Sequence, residues 1–328
     1  MLNHYLSNQT PANQTPANQT QSPTHIVVLH NPKSGARHAV DLIDSLLREL
    51  SIRGLRAESF SDLDAFQDRV KLLSDEGRLK AVIAAGGDGT AAAVATRIES
   101  HIALRVFPLG TENLLSKYFH CDSDPVATAN AIDRLNTRKI DAASANGRLF
   151  LIMAGIGFDA EVVRRLHLNR KGHIRRWHYW WHILASTINY RFPKLRIMIA
   201  NSNTSILESP PADSNDVSWL FVQNLPCYAD RLTISADAIE NDGLLNLSSF
   251  RHGGVLYGLY YLLAMRLGYH PSLYDFKTSL TTDFRVEQVG PGQSAPQSET
   301  ASYQIDGDWG GYLPVDICIL RNRVTIII

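Results

Sequence analysis

Ala81-Val82-Ile83-Ala84-Ala85-Gly86-Gly87-Asp88-Gly89-Thr90 is an apolar run that ends in a glycine-rich turn, and an alanine-rich helical segment over 91–99 follows it. A short buried strand, a polar turn and a helix in that order form the repeating unit of a parallel sheet. The same order occurs on either side. Upstream, His25-Ile-Val-Val-Leu-His30 enters Asn31-Pro32-Lys33-Ser34-Gly35, and Val40, Ile43, Leu46, Leu47 and Leu50 recur at helical spacing. Downstream, Val106-Phe-Pro-Leu109 enters Gly110-Thr111-Glu112-Asn113 and another helix. Three such units predict an α/β domain with a parallel sheet over residues 24–139.

The texture changes after that. Segments 148–154, 195–201, 217–223, 244–250, 279–287 and 315–328 are rich in β-formers and bounded by Gly, Pro, Asn or Asp. They predict a β-sandwich-like second domain over 140–328, interrupted by helical stretches at 171–190 and 253–269. Residues 290–300 read as a polar hairpin loop with no chemistry of their own. At the other end, residues 1–23 carry an N-Q-T-P-A repeat of period five. Such polar, proline-punctuated sequence buries too little surface to fold, so a disordered tail is expected.

Composition narrows the function classes. The 328 residues hold 32 Lys plus Arg and 32 Asp plus Glu, a formal net charge of zero. There is thus no global field for nucleic acid, and any anion must be held locally. The three cysteines, Cys121, Cys227 and Cys318, lie far apart and form no C-x-x-C, which suits reduced thiols. No basic segment followed by an apolar core opens the chain, so the expectation is a cytoplasmic protein whose N-Q-T triplets are never glycosylated. His167, His173, His178 and His182 lack zinc-site spacing and read as part of a cation-rich surface.

The turn Gly86–Thr90 carries the chemistry. A glycine turn at the carboxyl end of a parallel strand aims backbone N–H groups and a positive helix end at one point, and phosphate suits that point. Asp88 would repel phosphate unless Mg²⁺ or a hydroxyl lay between, which marks it as a metal ligand or proton acceptor. The plain alternative is a tight turn with Asp as a helix cap. No G-x-x-x-x-G-K-[ST] is present. Gly155-Ile-Gly157-Phe-Asp-Ala160 fits a dinucleotide fingerprint, yet the stretch where an acidic ribose ligand belongs reads Arg175-Arg-Trp-His-Tyr-Trp-Trp181, which argues against a dehydrogenase.

Six motifs stand in order: Asn31-Pro-Lys-Ser-Gly35, Gly86-Gly-Asp-Gly-Thr90, Pro108-Leu-Gly-Thr-Glu-Asn113, Gly155-Ile-Gly-Phe-Asp-Ala160, Asn241-Asp-Gly-Leu-Leu245 and Gln304-Ile-Asp-Gly-Asp308. Together they resemble the bacterial diacylglycerol kinase and sphingosine kinase family over nearly everything from residue 25 to the end. The resemblance implies an ATP-dependent lipid kinase with ATP and Mg²⁺ in a cleft between the two domains. It implies that Asn31, Pro32, Ser34 and Gly35 meet the nucleotide, that Gly86, Gly87, Gly89 and Thr90 hold its phosphates, and that Gly110, Thr111 and Asn113 help seat it. Asp88 takes the phosphoryl-transfer position and Asp308 assists. Asp242, with the carbonyl of Leu244, matches a structural Mg²⁺ site of some members, against the plain reading of Asp242-Gly243 as a hairpin turn. Two departures stand out: the family's terminal Asp-Gly-Glu is here Asp-Gly-Asp308, and its Gly-rich acceptor-side loop reads Tyr228-Ala-Asp-Arg231, with Ala236 at a usual Pro. The first keeps the charge but shortens its reach by one methylene; the second, on the acceptor side in the family, bears on acceptor choice.

A lipid acceptor requires access to a membrane surface. Residues 170–182 mix cations with three Trp and one Tyr, a composition suited to the headgroup layer or to a packed helix with a basic face. Segment 253–269 is apolar nearly all round but shorter than the ~20 residues of a span, so it reads as a core helix or the lip of an acyl-chain pocket. The expected location is cytoplasmic, peripheral to the inner face of the membrane. Competing readings are an NAD kinase or phosphofructokinase-like enzyme, which share a Gly-Gly-Asp-Gly turn, and a non-catalytic lipid-binding module.

Overall fold

The computed structural model describes residues 23–32, 38–168, 190–199, 216–228, 232–290 and 300–328. Ser34, Gly35, the basic aromatic stretch 170–182 and Ala229–Arg231 lie outside the described residues.

The first unit runs β1 (His25–His30), α1 (His38–Ile52), β2 (Arg56–Phe60), α2 (Leu63–Asp75), β3 (Leu79–Gly86), α3 (Asp88–Arg97), β4 (Ala103–Pro108), α4 (Leu114–Tyr118) and α5 (Pro125–Arg134). Its strands pair in parallel in the order β2-β1-β3-β4. Both faces are covered, which is why β1 and β3 are apolar without alternation. Val27, Val82 and Leu104 pack with Phe66 and Val70 of α2 and Val94 of α3. Ile26, Ile83 and Ala85 pack on the other face with Leu46 and Leu50 of α1 and Ile132 of α5.

The second unit contains β5 (Thr137–Ala145), β6 (Arg148–Phe150), β7 (Met153–Gly157), α6 (Phe158–Leu168), β8 (Leu195–Ile199), β9 (Asp216–Val217), β10 (Trp219–Gln223) and β11 (Leu245–Phe250). It continues with α7 (Val255–Leu267), β12 (Phe276–Thr281), β13 (Asp283–Gln288), β14 (Ser302–Ile305), β15 (Asp308–Tyr312) and β16 (Val315–Ile327). A six-stranded sheet, β12-β11-β10-β7-β14-β15, faces a second layer built on β5, β16, β13 and β8. Alternating residues of the two, among them Ile156, Val222, Leu247, Val286 and Ile317, fill the space between them. The expected α/β unit followed by a sandwich-like unit is therefore what folds. Segment 279–287 divides into the neighbouring strands β12 and β13, and the pattern-weak β2, β5, β14 and β15 complete the sheets.

The two units share a strand. β16 pairs antiparallel with β13 and β5 in the sandwich, then reaches β4, where Thr325 and Ile326 run parallel to Ala103 and Leu104. Buried Asp141 on β5 pins this junction by accepting N–H bonds from Gly243 at 2.7 Å and Asn322 at 2.6 Å. Among the described residues no helix is long and apolar enough to cross a membrane.

Because one strand belongs to both layers, urea unfolding followed by far-UV dichroism and by tryptophan fluorescence is expected to give coincident transitions. Deleting residues 323–328, which removes buried Val324, Ile326 and Ile327, is expected to lower the melting temperature by more than about 10 °C.

Candidate functional site

The carboxyl ends of β1, β3 and β4 open on one edge of the parallel sheet, where Asn31 donates its N–H to Ala85 at 3.3 Å. Ligands of open α/β sheets gather at such an edge. The turn after β3 is shaped by close packing. A side chain at Gly86 would collide with Thr90, whose hydroxyl end lies beneath the turn with the residue 8 % exposed. A Cβ at Gly110 would come within 2.7 Å of the Gly87 Cα, so the turns after β3 and β4 meet backbone to backbone. Leu109 also donates its N–H to Gly86 O at 2.9 Å.

Asp88 locks this pair of turns. Its two carboxylate oxygens accept the N–H groups of Leu114 and Leu115, each at 2.9 Å. These are the first amides of α4, which need a cap that their own Ncap residue cannot supply. Asn113 there is left-handed at φ +50°, and its side chain closes its own loop on the Gly110 N–H (3.1 Å) and C=O (2.7 Å). Asp88 is thus a helix cap supplied from another element. Burial raises its pKa, and the two backbone donors oppose that shift.

The helix that Asp88 begins is left open. The Ncap residue of α3, Gly87, provides no side-chain cap, and Gly89 in its first turn is exposed. Bare helix-start amides without an intervening side chain suit an anion. The potential repulsion from Asp88 is offset because its charge is directed onto the α4 amides. Thr111 stands exposed at the rim, and Glu112 pairs with Lys117 at 3.6 Å.

Across from Gly89 stands the second unit. Asp306 and Gly307, at φ +49° and +84°, form the two-residue turn of the β14–β15 hairpin, a conformation that Asp-Gly adopts readily. The Asp306 carboxylate is buried and accepts the N–H groups of Leu151 (2.8 Å), Ile152 (2.9 Å) and Met153 (3.0 Å). Burial pushes it up to about 7; the three donors act the other way, and the charge of Asp88 adds to the rise. The anchored hairpin holds exposed Asp308 over the glycine turn, with its Oδ2 3.2 Å from where a Gly89 Cβ would lie. Beside it, Asp159 accepts from Gln304 Nε2 at 2.8 Å and from the Tyr228 hydroxyl, and burial raises its pKa.

Gly155 and Gly157 lie inside strand β7 rather than in a phosphate-binding turn. A Cβ at Gly155 would collide with Asp159, so the glycine serves that carboxylate. Asp242 Oδ1 accepts the Leu244 N–H at 2.9 Å, which is turn chemistry. Among the described residues no three acidic, His or Cys side chains converge as a metal cage. Asp159, Tyr228 and Asp306 were not singled out by residue reasoning. All three sit in or beside quoted motifs, but their partners come from distant strands.

Residues 25–145 match the family described as Diacylglycerol kinase catalytic domain. The N-terminal unit belongs to that family. Beyond the matched residues the similarity extends further at lower identity. A Streptococcus pneumoniae protein named "Putative lipid kinase" is 22% identical over 92% of this chain and 96% of its own. A Staphylococcus carnosus diacylglycerol kinase is 26% identical over 41% of this chain and 45% of its own, less than half its length. A solved Bacillus anthracis structure of a diacylglycerol kinase aligns over 93% of this chain and 96% of that one, with 18% identity and a TM-score of 0.65. The two-unit arrangement is that fold.

Asp88→Ala is expected to cost about 1–3 kcal/mol in urea unfolding by orphaning the Leu114 and Leu115 amides, and Asp88→Asn about half of that. Asp306 supplies a pH test. Its folded pKa lies above the unfolded one, so its contribution to stability is full below roughly pH 4 and is lost as pH rises through about 7. Asp306→Asn is expected to flatten that part of the stability profile.

Proposed function

We propose that the chain transfers the terminal phosphate of Mg²⁺-ATP to a hydroxyl of a membrane lipid at the cleft where the glycine turn faces Asp308. The observation that carries the reading is that pairing: an uncapped helix start with exposed Gly89 on one side, and an exposed carboxylate held above it on the other. Phosphoryl transfer asks mainly for alignment and charge neutralisation, and these groups supply both.

In this reading the amides at the start of the 86–90 turn hold phosphate oxygens, with the Thr90 N–H kept on Gly87 O at 2.9 Å, while Asn31, Thr111 and the 110–113 loop line the nucleotide's side of the edge. The residues fit such a ligand because Gly89 adds no side chain of its own to the turn, and the side chain that reaches it from the other unit is the Asp308 carboxylate. Asp308 accepts the proton of the acceptor hydroxyl as the hydroxyl oxygen bonds to the terminal phosphorus and the bond to the bridging oxygen breaks, releasing ADP; alternatively it would help to hold Mg²⁺. One protein carboxylate plus phosphate oxygens is an ordinary magnesium arrangement, and the ion would supply neutralisation of the phosphate charge. Asp88 acts as a positioning residue that keeps the two turns in register. A lipid acceptor is supported by the kinase-family match and by the names of the relatives; the sandwich-like unit is then its binding side.

The test is transfer from labelled ATP into a lipid extract. Wild type is expected to label a lipid only with Mg²⁺ present. Asp308→Asn should lower kcat at least about 100-fold with little change in KM for ATP or in melting temperature, because the side chain is exposed. Asp88→Asn should instead raise the KM for ATP and lower the melting temperature together. Failure of wild type to bind Mg²⁺-ATP would sink the proposal.

A further inference from the structure

Segment 253–269 is a core helix on one face only. Helix α7 buries one face: Tyr261 stacks on Phe250 with ring centroids 4.3 Å apart, meets Trp219 edge-on at 5.9 Å, and donates its hydroxyl to buried Asp275. Gly258, Ala264 and Met265 share that face. The opposite face is apolar too, and it is in water. Leu256, Leu259, Leu263 and Leu267, at spacings of three, four and four, are 82, 48, 54 and 65% exposed. Tyr257, Tyr260 and Tyr269 flank the stripe, and Tyr274 is 82% exposed.

We infer that this leucine face of α7 is the surface by which the protein lies on an anionic phospholipid bilayer. Charge decides between a bilayer and a second copy of the chain. Residues 251–274 contain Arg251 and Arg266 and no Asp or Glu. Arg251 and Lys277, with Tyr274, line a small cleft of about 50 Å³ on the helix's sheet, whose one acid, Asp275, is buried against Tyr261. Two such faces brought together would oppose cations with no acid on either segment to answer them, whereas phosphate headgroups do answer them. The ring composition agrees: tyrosines with an apolar body and a polar tip settle at the headgroup level beside leucines that enter the acyl boundary. At 13 residues the helix is about 20 Å long, too short to span a bilayer, so it lies in the plane of the interface.

The lipid reading above explains why the chain should need a bilayer, but docking is measured without phosphoryl transfer. The full-length protein is sedimented, without nucleotide, with vesicles of phosphatidylcholine alone and of roughly two parts phosphatidylcholine to one part phosphatidylglycerol. Wild type is expected to bind the anionic vesicles. Leu259→Ser with Leu263→Ser should weaken binding at least about tenfold with an unchanged melting temperature. Arg251→Gln with Arg266→Gln should weaken it and remove its salt dependence. Equal sedimentation of wild type and the leucine variant overturns the inference. So does a wild-type dimer in solution that the leucine variant converts to monomer without any change in vesicle binding. Phosphorylation of a short-chain, water-soluble diacylglycerol separates the two readings: wild type and the leucine variant should react equally. If neither reacts with any acceptor while the binding difference persists, docking stands and the kinase reading fails.

Discussion

The site depends on a carboxylate that faces away from its own helix. Asp88 opens α3 but caps α4, and its two bonds to Leu114 and Leu115 draw the turns after β3 and β4 into contact. The contact is close enough that only glycine fits at 110. An acid in a glycine turn would ordinarily oppose an incoming phosphate. Here its charge is matched by the positive end of another helix, while the amides of its own helix stay open.

The second unit repeats the device. Asp306 sits in a turn where both residues have positive φ, and it takes three amides from the strand connection at 151–153. Its neighbour Asp308 is thereby placed without using any of its own hydrogen-bonding capacity in these bonds. In each unit one buried aspartate fixes the backbone. In the second, the carboxylate that it positions is left exposed at the cleft. The common strand β16 joins the frames, pairing with β5 in the second unit and with β4 in the first.

Helix α7 shows how far a one-dimensional pattern carries. Its residues are apolar around the circumference because one side meets Phe250 and Trp219 and the other meets whatever lies outside the protein. Hydrophobicity alone does not distinguish these cases, since both remove apolar surface from water. The packing of one side on Phe250 and Trp219 distinguishes them, and that packing is tertiary.

The sequence by itself determined the α/β order, the sandwich-like second half and the glycine turn at the end of β3. Strand–turn–helix periodicity and glycine placement are local, with backbone sterics and burial acting within a few residues. It also brought Asp308 into view through an ordered set of motifs. The tertiary structure alone decided which partners the aspartates take. Leu114 lies 26 residues from Asp88, and Leu151 lies 155 from Asp306. No short-range pattern records such a bond, because a carboxylate in a turn reads alike whether it meets metal, hydroxyl or the amides of a distant strand.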